Sequence, residues 1–119
     1  MHSGKMYYRQ AGQFVGSLAG QGDYLVTDSV WVLHYARISG SQLSPGTENI
    51  DALIGQLRQT PATHLALTEG VMARGGIRSA IGPPAFQPLQ QFAPPTAKRV
   101  RTIDVFKISR DELSDLDGS

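Results

Sequence analysis

The sequence predicts an α+β fold: a small mixed sheet of about four strands, with one main helix and a proline-rich segment packed on it. Three observations predict it: a long β-favouring run at 24–38, an amphipathic run at 48–59, and a second β-favouring run at 98–108. A chain of 119 residues has room for one modest core. We expect a single globular domain over 1–109 and an acidic, flexible tail over 110–119.

The first segment, residues 6–18, is rich in aromatic residues and glycine. Tyr7, Tyr8 and Phe14 favour a β-strand, whereas interior glycines weaken a strand and often mark bends. We therefore predict a hairpin arm here. The glycines at positions 12, 16, 20 and 22 do not make a phosphate-binding loop, because no Lys followed by Ser or Thr comes after the last of them.

Residues 24–38 give the strongest β signal in the chain, because Val, Thr, Trp and Tyr dominate them. Alternate positions are largely apolar on both faces, which predicts a central strand covered on both sides. Asp28 and Ser29 mark a bulge or a turn that would split this run in two.

Residues 48–59 carry the clearest helical pattern. Thr47 is the predicted N-cap, and Pro61 ends the helix. Large apolar side chains recur at the i, i+3, i+4 and i+7 spacing of one helix face, at Ile50, Leu53, Ile54 and Leu57.

The next segment, 62–68, fits a strand or a helix, and we favour the strand because its two leucines then share one face. Strand 30–38, helix 48–59 and strand 63–68 would then form one right-handed βαβ unit.

The last third of the chain mixes three patterns. Residues 70–81 predict a short helix or an irregular segment. Residues 82–97 contain five prolines, which predicts neither a helix nor a paired strand, and their interleaved aromatic residues suggest that they lie across the core. Residues 98–108 predict a strand with apolar side chains on both faces.

The composition narrows the possible chemistry. The chain has no cysteine, so disulfides, thiolate metal sites and a cysteine nucleophile are excluded. Its three histidines show no metal-ligand spacing, and we predict neither a metal nor a cofactor. No apolar run approaches the ~18 residues of a membrane span. The first residues also lack the apolar run of a signal peptide, so we expect a cytoplasmic protein without a membrane partner.

The charge is unevenly spread, although the net charge is only +1. Residues 70–108 carry a net charge of +5, and residues 109–119 carry −3. A basic surface of this kind neutralises phosphates. The candidate nucleic-acid-binding residues are Arg74, Arg78, Lys98, Arg99 and Arg101.

Three side chains are candidates for catalysis. His34 and His64 fall on predicted central strands, where they could act as the general acid and base of a metal-free ribonuclease. Glu69 follows a predicted strand, at the position where α/β folds place catalytic groups. The alternative for each histidine is a half-buried ring hydrogen bonded to its neighbours.

Aromatic side chains support a different function, the binding of a partner protein. Tyr and Phe contribute strongly to interface energetics. We therefore predict first a small non-enzymatic binding or regulatory protein, whose partner is another protein or a second copy of itself. The alternative is a nucleic-acid-binding protein or the metal-free ribonuclease. The candidate partner-binding residues are Tyr7, Tyr8, Phe14 and Phe92.

Overall fold

The computed structural model describes residues 6–20, 22–93 and 102–115. The strands are β1 (Tyr24–Thr27), β2 (Ser39–Gln42), β3 (His64–Thr68), β4 (Phe86–Phe92) and β5 (Ile103–Ile108). The helices are α1 (Met6–Leu18), α2 (Val30–Ala36), α3 (Ile50–Arg58), α4 (Glu69–Met72), α5 (Ile77–Ala80) and α6 (Arg110–Asp115).

The strands form one mixed sheet in the order β2-β1-β3-β5-β4. Strands β2, β1 and β3 are parallel, whereas β5 runs antiparallel to both β3 and β4. The α+β class is confirmed. The described sheet has five strands rather than about four, and several helices accompany it rather than one.

The parallel half of the sheet changes direction at β1. Helix α2 leads from β1 to β2 on one side, and α3 then leads to β3 on the other side of β1. The predicted βαβ unit is therefore wrong in its first strand, because most of residues 30–38 are helical. Its helix and its last strand are present as α3 and β3.

Helix α1 replaces the predicted hairpin arm, which is wrong. Tyr7, Ala11 and Val15 recur every four residues and are all buried, as on one face of a helix. The glycines of this segment serve a close contact with α2. A Cβ added at Gly12 would lie 2.6 Å from the Cβ of Tyr35, and one added at Gly16 would lie 2.5 Å from a backbone carbonyl oxygen of α2.

Helix α2 occupies seven residues of the 24–38 run that predicted a central strand, and only Tyr24–Thr27 of that run is the strand β1. The interruption falls at Asp28 and Ser29, as the sequence suggested. The Ser29 hydroxyl accepts a hydrogen bond from the Val32 N–H at 3.4 Å and caps the helix. Arg37, with φ of 57°, ends it in the left-handed conformation.

Helix α3 confirms the amphipathic prediction. Leu53 and Leu57 are fully buried, and the flanking isoleucines pack beside them. The predicted cap is wrong by two residues. The Asn49 side chain accepts from the Ala52 N–H at 2.9 Å, whereas the Thr47 hydroxyl donates to a carbonyl of the preceding loop.

The proline-rich segment contains the edge strand β4, so the prediction that it would not pair is wrong. Pro88 is tolerated because β4 is an edge strand of the described sheet, and the register shifts between Pro88 and Gln90. Strand β3 confirms the strand chosen for 62–68. Strand β5 lies within the predicted 98–108, whose first four residues are outside the described ranges.

The core consists of two clusters, one on each face of the sheet. Helices α1 and α2 cover one cluster, and α3 covers the other. Helix α6 occupies the start of the expected tail, and its Leu113 is buried in the α3 cluster. Arg58 donates to the Leu113 carbonyl at 2.8 Å. The division into a domain over 1–109 and a tail stays a prediction.

Candidate functional site at the carboxyl edge of the parallel strands

The parallel strands β2, β1 and β3 end at the same edge of the sheet, where the chain leaves β1 in one direction and reaches β3 from the other. In open sheets, ligands bind outside the carboxyl ends of the strands at such a switch point. Here the ends carry polar residues: Asp28 and Ser29 follow β1, Gln42 ends β2, and Thr68 ends β3.

Asp28 ties the end of β1 to the end of β3. One carboxylate oxygen accepts the Thr68 N–H at 2.9 Å, and the other accepts the Thr68 hydroxyl at 2.5 Å. On the β1 side, the Thr27 hydroxyl accepts the Ser29 N–H at 3.1 Å. These hydrogen bonds hold Asp28, Thr68 and Ser29 in fixed positions, and we call this group the polar floor.

A crevice of about 270 Å³ lies above this floor. We call it the carboxyl-edge crevice. Helix α1 contributes one tyrosine, the start of α2 contributes two apolar side chains, and the strand ends contribute the polar groups. Its lining is Tyr8, Asp28, Ser29, Val30, Trp31, Gln42 and Thr68.

The rim of the carboxyl-edge crevice is apolar and accessible. Val30 is 55% exposed and Trp31 is 44% exposed, so both are among the large apolar side chains that the described fold leaves open to solvent. The Tyr8 ring lies against the buried ring of Tyr7, with 4.5 Å between the centroids. The crevice thus combines a fixed polar floor with an aromatic and aliphatic rim.

A larger groove of about 470 Å³ runs along α1 beside the C-terminal end of α2. Arg9, Arg37 and Gln13 line it, and the Arg9 guanidinium carbon is 6.0 Å from the Tyr35 ring centroid. It lies away from the carboxyl ends of the strands. It also presents carbon chains and two cations rather than a set of fixed polar groups, so the carboxyl-edge crevice is the better candidate.

The three candidate catalytic residues lie on three different parts of the fold. His34 is exposed on α2, where its ring meets the edge of the Tyr35 ring at 5.1 Å. The prediction that it lies on a central strand is wrong, because that segment is helical. His64 begins β3, whereas Glu69 follows the last residue of β3. These two side chains therefore lie at opposite ends of β3.

His64 has the environment of a structural histidine. It is 5% exposed, and its Nδ1 lies 2.9 Å from the Thr63 hydroxyl. Burial lowers its pKa, the carboxylate of Asp23 opposes this, and the ammonium of Lys107 adds to the lowering. The pKa of Asp23 is itself lowered, chiefly because its carboxylate accepts the Gly20 N–H at 2.7 Å.

The predicted basic surface is described only in part. Arg74 donates to the Thr47 carbonyl at 2.9 Å, and Arg78 forms an ion pair with Glu69. Both arginines therefore have partners within the fold. The remaining candidates, Lys98, Arg99 and Arg101, lie outside the described ranges.

The predicted partner-binding aromatic residues separate into two groups. Tyr7 is buried, and the Phe14 and Phe92 rings pack edge to face with 5.5 Å between their centroids. Tyr8 lines the carboxyl-edge crevice. The sequence did not predict Trp31 and Gln42 as site residues. Asp28 and Ser29, the polar pair after β1, were a usable signal, because polar residues that follow a strand lie at the carboxyl edge of a sheet.

No protein-family model matches the chain, and no curated protein or solved structure matches it. Among the helices of the described residues, none is long and apolar enough to cross a bilayer. Within the same ranges, no three His, Asp or Glu side chains come together in a way that could hold a metal ion.

Proposed function

We propose that this chain is a non-enzymatic binding protein that acts through another protein, which it contacts at the carboxyl-edge crevice. One observation carries the proposal: Val30 and Trp31 stand exposed on the rim of a crevice whose polar floor is already hydrogen bonded. Trp and Tyr are enriched among the residues that dominate binding energy at protein interfaces, where they surround pockets that a partner fills.

The size of the crevice favours a side chain of a partner over a free small molecule. Pockets for small molecules usually enclose about 300–1,000 Å³. The carboxyl-edge crevice has about 270 Å³. That volume suits one or two apolar side chains that a partner inserts between Tyr8 and Trp31, while Gln42 and Ser29 remain beside them for polar contacts.

The floor supports recognition rather than catalysis. Both oxygens of the Asp28 carboxylate accept hydrogen bonds from Thr68, which assigns this acid to holding β1 and β3 in place. The alternative of a nucleic-acid-binding protein or ribonuclease gains no support from the described residues, where His34 is exposed on a helix and His64 is buried at a strand start.

The test compares three forms of the chain as bait in an extract of its source cells, with mass spectrometry of what each form retains. We expect the native chain to retain one defined protein and Trp31→Ala to lose it. Leu18→Ala is the matched control, because Leu18 is 48% exposed at the far end of α1. It should retain the partner.

Equal retention by Trp31→Ala and the native chain would contradict the proposal, and so would equal loss from both variants. Retention on heparin with release by salt would favour the nucleic-acid alternative, because phosphate contacts give affinities that fall steeply with salt.

A further inference from the structure

The two edges of the sheet differ in how they are protected. Strand β4 carries Pro88 and a register shift, both of which hinder the addition of another strand. Strand β2, at the opposite edge, has the sequence Ser-Gly-Ser-Gln, with no charge, no proline and no bulge. Among the described residues, no strand pairs with its outer side.

The hydrogen bonds to β1 show which backbone groups of β2 point outward. The Leu43 N–H donates to the Thr27 carbonyl at 2.7 Å, so the backbone N–H and C=O groups of Leu43 point toward β1. Backbone groups alternate along a strand, which means that Ser41 also faces β1. The N–H and C=O groups of Gly40 and Gln42 therefore face away from the sheet.

We propose that β2 pairs antiparallel with the β2 strand of a second copy of this chain, which joins two sheets into one. A two-fold axis at Ser41 places Gly40 of each copy opposite Gln42 of the other. In antiparallel pairs, residues placed this way exchange both of their backbone hydrogen bonds. The edge is thus complementary to itself, as a two-fold interface requires.

The absence of charge along β2 favours a second copy over a foreign strand. A two-fold axis brings the same short stretch of both copies together, so a charged edge would repel itself. Ser39, Ser41 and Gln42 carry no charge, and Gly40 has no side chain.

Helix α2 supplies an apolar contact beside the paired strands. Leu33 covers β2, since a Cβ added at Gly40 would lie 2.6 Å from the Leu33 Cδ1. Val30 precedes Leu33 by three residues, is on the same helix face, and is 55% exposed. The two-fold axis keeps both α2 helices on one face of the joined sheet and turns Val30 of each copy toward Leu33 of the other.

The decisive experiment is sedimentation velocity on the full chain at several concentrations. We expect a species of twice the 12.9 kDa chain mass. Gln42→Pro removes an outward N–H without touching the bonds to β1, so the mass should fall to that of one chain. Gln42→Ala removes the same side chain and keeps the N–H, so the dimer should persist.

A native chain that sediments as a single copy at every concentration would overturn the proposal, and so would a Gln42→Pro variant that stays dimeric. Loss of the dimer in both variants would also overturn it, because the side chain rather than the backbone would then make the contact. Should Gln42→Pro fail to fold, amide exchange in the native chain decides: the Gly40 and Gln42 amides must lose protection on dilution.

Strand pairing and the proposed crevice contact fail separately. The dimer is measured on the purified chain alone, whereas the crevice contact is measured through Trp31→Ala and a different protein. Val30 and Gln42 belong to both contacts, so Trp31→Ala is the variant that separates them: it changes the crevice and leaves the β2 backbone intact.

Discussion

The two helical layers that cover the sheet are built on different principles. Helix α3 packs through large side chains, with Leu53 and Leu57 fully buried and open space around Gly55. Helices α1 and α2 approach each other through Gly12 and Gly16, whose missing Cβ atoms let the two backbones meet. We call α1 and α2 the close layer. It carries the carboxyl-edge crevice, so the position of the crevice rim depends on contacts that leave little freedom to adjust.

The largest effect is expected from an added methyl group in the close layer. In Gly12→Ala the new Cβ would lie 2.6 Å from the Tyr35 Cβ and 2.7 Å from the Val32 carbonyl oxygen. Helices α1 and α2 must then move apart, and we expect a loss of about 3 kcal/mol in the free energy of unfolding, near the top of the range for overpacking. Urea denaturation measures it. An unchanged midpoint would show that the helices are not in close contact.

The difference between the layers also explains which elements the sequence predicted. Helix α3 was predictable because four large apolar residues recur at helical spacing. Helices α1 and α2 were mistaken for strands. Their mutual contacts use glycine and alanine, which add little to an apolar pattern, while Tyr and Val favour strands locally. Tertiary packing overrode that preference.

The crevice was less predictable than the core, for a physical reason. Its residues come from α1, the end of β1, the start of α2, and the ends of β2 and β3. Only the order β2-β1-β3 brings Gln42 and Thr68 to either side of Asp28. Nothing in the local pattern of any one segment specifies that order. Tyr8 was a candidate from the sequence because it is aromatic, and its role in binding stays a prediction.

A second prediction concerns the floor of the crevice, on the same side of the molecule. Asp28→Ala leaves the part-buried Thr68 N–H without its acceptor, and an unsatisfied donor of this kind costs about 1 kcal/mol. Asp28→Asn is the control, because its amide oxygen still accepts the N–H and the Thr68 hydroxyl can rotate to accept from the amide. Thermal unfolding should rank Asn close to the native chain and Ala below both. Equal stability of all three forms would show that the hydrogen bonds between Asp28 and Thr68 do not stabilise the fold.

The other layer gives an effect of opposite sign. Gly55 lies inside α3 without a left-handed backbone angle, and no atom of the described residues lies within 4 Å of an added Cβ. Gly55→Ala should therefore raise the free energy of unfolding by about 0.5–1 kcal/mol, since alanine is the better helix former. Urea denaturation of Gly55→Ala and Gly12→Ala under the same conditions compares the two layers directly. A loss of stability at Gly55 would mean that both layers are equally close-packed.

The smallest effect is a pH dependence at the start of β3. The pKa of His64 is lowered in the folded chain, mainly by burial, so the unfolded chain binds a proton more readily. The stability from neutral His64 is complete above the ordinary histidine pKa and declines as the pH falls through about 6.5. His64→Gln should flatten the difference in unfolding free energy between about pH 7.5 and pH 5.5. If His64→Gln showed the same difference as the native chain, other titrating groups would be the cause of the pH dependence.

A partner protein that binds at the carboxyl-edge crevice must contact the residues that line it. Chemical-shift mapping of the isotope-labelled chain, with the partner retained by the native bait added in steps, tests this contact most directly. We expect shifts that cluster at Asp28, Trp31, Gln42 and Thr68 and leave α3 unchanged. Shifts that centre on the exposed side of α3, at Asp51 and Gln59, with an unperturbed Trp31 would contradict it.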